Sequence, residues 1–130
     1  MEIKSLRTFL PSIDFELSKS FYRELGFEVL WENEELCMFG TKEYNFFLQD
    51  YYNKDWAENL MMQLFVMDLS ALYEVAEKVV SKYEGTKIRP IFEADYGRTF
   101  HVIGPAGELW HMTEVMGEVV EENKLLCEDQ

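Results

Sequence analysis

Two aspartates 54 residues apart, Asp14 and Asp68, constrain this chain more than any other feature. Each stands between a β-rich run and an amphipathic helical run, where a carboxylate can accept from the free N–H groups of a first helical turn. The first unit reads as strand "SLRTFLPSI" (5–13), helix "DFELSKSFYREL" (14–25), then strands "FEVLWEN" (27–33), "LCMFGT" (36–41) and "YNFFLQD" (44–50). Leu17, Phe21 and Leu25 make the helical apolar stripe, and Gly26 suits a left-handed C-terminal position. After a loop, "YYNKDWAEN" (51–59), the order starts again: strand "LMMQLFVM" (60–67), helix "DLSALYEVAEKVVSKYEG" (68–85), strands "TKIRPIFEA" (86–94), "RTFHVIG" (98–104) and "ELWHMTEV" (108–115). Leu69, Leu72, Val75, Ala76, Val79 and Tyr83 form its stripe, and Gly85 its expected end.

The chain is thus two βαβββ modules, about 4–52 and 59–115, in one domain over 1–116, followed by an acidic tail over 117–130. A single such sheet has nothing to bury its second face. Side by side, the two modules make an α+β fold: a curved eight-stranded mixed sheet with helices on one face and an open cup on the other.

With 25 acidic and 12 basic residues the formal charge is −13, which repels nucleic acid and anionic membranes. No apolar run reaches the ~18 residues of a membrane span, and the N-terminus lacks a secretory h-region. The two cysteines, Cys37 and Cys127, have neither metal-site nor redox spacing. They read as reduced thiols of a cytoplasmic protein. No phosphate loop, Ser-His-Asp order or Cys-x-x-Cys is present.

Three stretches resemble the vicinal oxygen chelate superfamily, which includes glyoxalase I, bleomycin resistance proteins and extradiol dioxygenases. They are Asp14-x3-Ser18-x2-Phe21-Tyr22-x2-Leu25-Gly26-Phe27, then Asp68-Leu69 opening the second helix, then Gly104-Pro105-Ala106-Gly107 before the last strand. The resemblance spans about residues 5–115. It implies four metal-ligand positions facing the cup. Counted from the matched motifs, they are Arg7, Phe47 or Gln49, Met61 and His111. A guanidinium does not ligate, and a thioether is a poor donor for hard or borderline divalent ions. Catalytic zinc takes about three protein ligands and an open position. Only His111 is a good ligand, so neither a metal site nor a catalytic residue is assigned, and no cofactor is expected.

The cup is then lined by Arg7, Phe9, Phe47, Gln49, Met61, Gln63 and His111, with Trp56 on the adjoining loop and Tyr96 and Arg98 at its border. Aromatic walls with a few polar anchors suit a small organic molecule. The metal-free bleomycin resistance proteins are the members this composition is most similar to. That likeness implies a homodimer that binds a small aromatic molecule without catalysis, a cationic antibiotic being one candidate. The alternative is a divalent-metal lyase, isomerase or dioxygenase of the same superfamily. Trp110, alternating with His111, is expected in the core, Trp31 in packing, and His101 against a neighbouring strand or solvent.

Overall fold

The computed structural model describes residues 1–115; the acidic tail and Cys127 lie outside the described residues. The elements are β1 (Phe9–Leu10), α1 (Phe15–Leu25), β2 (Val29–Glu32), β3 (Leu36–Gly40), β4 (Asn45–Gln49), α2 (Lys54–Asn59), β5 (Met61–Phe65), α3 (Leu69–Lys82), β6 (Lys87–Ala94), β7 (Gly97–Ile103) and β8 (Leu109–Val115). The eight strands hydrogen-bond as two four-stranded sheets, β1-β4-β3-β2 and β5-β8-β7-β6. In each module the first strand pairs parallel with the last, Phe9 opposite Phe47 and Gln63 opposite His111. The remaining ladders are antiparallel.

Both capping aspartates act as expected. Asp14 accepts from the Leu17 amide and Asp68 from the Ala71 amide, each at 3.1 Å. Gly26 takes φ +117°, closing α1 through its amide to Arg23 and Tyr22. Four local expectations change. Helix α3 stops at Lys82, with extended Tyr83 as its cap, and Gly85 (φ +86°) shapes the following turn instead. Strand β1 shrinks to two residues, because only the stretch around Phe9 and Leu10 finds a partner in β4. The expected loop after β4 contains α2, capped by the Asn53 side chain on the Trp56 amide. On α1 the buried stripe runs through Phe15, Ser18, Phe21, Tyr22 and Leu25, while Leu17 faces solvent.

The core lies between the helices and one face of each sheet. Leu10, Phe39, Phe46 and Leu48 of the first module meet Phe100, Val102, Trp110 and Met112 of the second through α1 and α3. Tyr22 is the centre of this packing, edge-on or tilted against Phe27, Phe39, Phe46 and Trp110 at 5.5–6.1 Å. Trp110 is buried, as its alternation with His111 predicts. Among the described residues no helix is long and apolar enough to cross a membrane.

Candidate functional site

Strand alternation gives each sheet a second face, turned away from the helices. On the first sheet that face carries Arg7 (just ahead of β1), Phe9, Phe47, Gln49, Met38 and Trp31. Register aligns four of these into one row across the strands: Phe9 opposite Phe47, Phe47 opposite Met38, Met38 opposite Trp31. Phe9 and Phe47 stack with centroids 5.0 Å apart, and Trp31 meets Phe47 edge-on at 6.3 Å. Phe9 is 42% exposed and Trp31 48%, so Trp31 is presented on the open face rather than packed away. The Arg7 guanidinium donates to Asn45 Oδ1 at 2.6 Å and lies 6.0 Å from the Phe47 ring centre.

The second sheet's open face is built in three parallel rows. Gln63, His111, His101 and Arg89 follow one another across β5, β8, β7 and β6. Met61, Leu109, Ile103 and Lys87 flank them on one side, and Phe65, Thr113, Thr99 and Phe92 on the other. The His101 and His111 rings meet edge-on at 4.4 Å, and Phe92 is 5.3 Å from His101. The Arg89 guanidinium sits over Phe92 at 3.7 Å. Burial first, then the neighbouring His111 and Arg89, hold the His101 imidazole below its ordinary pKa. His101 Nε2 is buried with no hydrogen-bond partner among the described residues.

Hence Arg7, Phe9, Phe47 and Gln49 share one open face, and Met61, Gln63 and His111 share the other. Trp56 stands apart on α2, tilted against Tyr51 at 6.1 Å. Tyr96 lies in the two-residue turn between β6 and β7, 39% exposed. Arg98 must be removed from the site. It alternates with Phe100 and Val102 on the helix side, where it bonds Glu114 at 3.0 Å and Ser70 at 3.2 Å. His101, expected against a neighbouring strand or solvent, does face a neighbouring strand: it lies on the open face as the direct partner of His111. A signal for this was present: residues 101 and 111 are equidistant from Ala106, the middle of the 104–108 connection, so a hairpin centred there pairs them.

A crevice of about 760 Å³ separates the modules, walled by Phe27, Glu28, Thr41 and Tyr44 on one side and Gln63 and Phe65 on the other. Of the residues expected to bind ligand, Gln63 reaches it.

The donor set at the four positions that the sequence resemblance assigns to metal ligands does not fit a divalent metal: a guanidinium, a phenyl ring or amide, a thioether and one imidazole. Among the described residues, no three His, Cys, Asp or Glu side chains group as metal ligands.

No protein-family model and no curated protein sequence matches the chain. Solved structures do. The bleomycin-binding protein of Streptomyces verticillus, in complex with copper(II)-bleomycin, superposes with a TM-score of 0.73 at 24% identity, covering 89% of this chain and 99% of its own. An antibiotic-binding protein from a Streptomyces species gives 0.72 at 18%, covering 89% and 99%. A glyoxalase/bleomycin resistance protein/dioxygenase from Nocardioides gives 0.68 at 16%, covering 90% and 86%. The chain therefore has the vicinal oxygen chelate fold, the architecture of glyoxalases, bleomycin resistance proteins and dioxygenases.

Proposed function

We propose that this protein binds a small aromatic molecule on its open sheet faces, without a metal and without catalysing a reaction, as a cytoplasmic homodimer. The aromatic row Phe9, Phe47, Met38 and Trp31 carries this reading. A flat ring laid on it gains stacking and removes apolar surface from water. The reading is supported by the fold shared with proteins that bind bleomycin and another antibiotic, and by the poor metal-donor set. The whole chain's charge of −13 favours a cationic ligand. The open faces themselves do not: Arg7, Lys87 and Arg89 are there, and the aligned strand positions supply no carboxylate.

The test is a tryptophan-fluorescence titration with bleomycin and with 2-naphthol, in chelator and again after loading with zinc, manganese, nickel or ferrous ion. Saturable binding in chelator is expected, weakened about five- to tenfold in a folded Phe47→Ala variant. No saturable binding of either compound would overturn the reading. So would binding that needs an added metal and is lost in His111→Ala, which would move the protein to the metal-dependent enzymes of the fold.

A further inference from the structure

Resting on that small-molecule reading, we propose that the open face of the second sheet takes an organic acid. Its anionic group is held on the open face of the second sheet by Arg89, His101, His111 and Gln63, and its apolar body lies across the rows on either side.

The chain has about two acidic residues for each basic one. Yet the aligned open-face positions of β5 to β8 hold Lys87, Arg89, two histidines and no Asp or Glu. The carboxylates of these strands alternate to the other face, Glu93 opposite Arg98 and Glu114 paired to it. Among the described residues, Lys19, Arg23, Lys54, Lys82 and Arg98 pair with carboxylates; Lys4, Arg7, Lys42, Lys78, Lys87 and Arg89 do not, and of these Lys87 and Arg89 share this one face. In so acidic a molecule, two cations on one face with no carboxylate aligned beside them make a local positive field that draws anions.

Stacking on Phe92 holds the Arg89 guanidinium flat and leaves its edge N–H groups for a planar acceptor. Next along the row, His101 brings a buried nitrogen without a partner, which is costly unless a ligand atom answers it. His111 and Gln63 extend the same line with further donors. Met61, Leu109 and Ile103 on one side, and Phe65 on the other, supply the apolar contact for the acid's body. A metal ion or an organic cation at this row would meet the positive charge of Arg89 at close range.

Three ligands of one shape separate the possibilities: 2-naphthoate, 2-naphthamide and 2-naphthylmethylammonium, measured by equilibrium dialysis against the full chain in chelator. Naphthoate is expected to bind at least about tenfold more tightly than the amide, with the ammonium weakest. An Arg89→Gln variant, checked for fold by circular dichroism, should bring naphthoate to the affinity of the amide and leave the amide unchanged. Equal affinities, or a preference for the ammonium, would overturn the anion site while leaving aromatic binding intact. An Arg89→Gln variant that still prefers naphthoate would overturn its location. Failure of all three to bind would overturn the anion site, and joined to failure with bleomycin and 2-naphthol, the binding reading as well.

Discussion

Glu108 is a fully buried carboxyl that ties the two modules together. Its Oε2 accepts from the Tyr22 hydroxyl at 2.8 Å and its Oε1 from the Ala106 amide at 2.9 Å. The Trp110 indole donates in turn to the Tyr22 oxygen at 3.0 Å. Gly104 leaves room for this group, since a Cβ there would lie 2.5 Å from Glu108 Oε1. Burial raises the Glu108 pKa above the ordinary carboxylate range, against the pull of these hydrogen bonds. A raised folded-state pKa means that the fold keeps a proton the unfolded chain has released. The contribution is therefore full at acid pH and is lost as pH rises from the ordinary carboxylate range through the folded value. Urea denaturation across that range should show the wild type losing stability relative to Glu108→Gln; parallel curves would show that Glu108 titrates alike in both states. The sequence displayed Tyr22 inside one motif and Glu108 directly after another, 86 residues apart in the chain. Their hydrogen bond was not legible, because no period or spacing reports which buried polar groups from different modules meet.

At the scale of elements, the repeated aspartates are the most legible feature. Each satisfies an otherwise unpartnered first-turn amide. Replacing either by alanine should cost about 1 kcal/mol. The two caps serve different helices and share no partner, so the double variant should lose roughly the sum, within about 0.5 kcal/mol. Chemical denaturation of the four proteins checks this; a double variant no worse than one single would mean that the modules do not unfold together. Local signals were weaker elsewhere. The α2 cap, Asn53, had the right chemistry, but six helical residues among tyrosines and charges leave little periodicity to read. Strand β1 was overextended because β-propensity runs through residues 5–13, whereas its pairing depends on where β4 lies.

For the whole molecule, the open faces expose large apolar side chains: Trp31 and Phe9 on the first sheet, Met61 (64%) and Phe65 (47%) on the second. The proposed dimer would cover part of this surface and leave the ligand between the two copies. Sedimentation at micromolar concentration should therefore give a particle of two 15.5 kDa chains, and Trp31→Glu should shift it toward one. A monomer under these conditions would overturn the dimer. The module order, the two long helices and the face assigned to Phe9, Phe47, Gln63 and His111 all follow from the sequence, since helix and strand periods are local and show in the order of residues. The tertiary structure alone decided that the strands form two separate sheets, that Arg98 is tied to Glu114 behind the site, and that Arg89 completes the row of His101 and His111. The reason is physical: the bulge between Arg89 and Phe92 shifts the β6–β7 register, and contacts between modules join residues distant in the chain, neither of which leaves a period in the sequence.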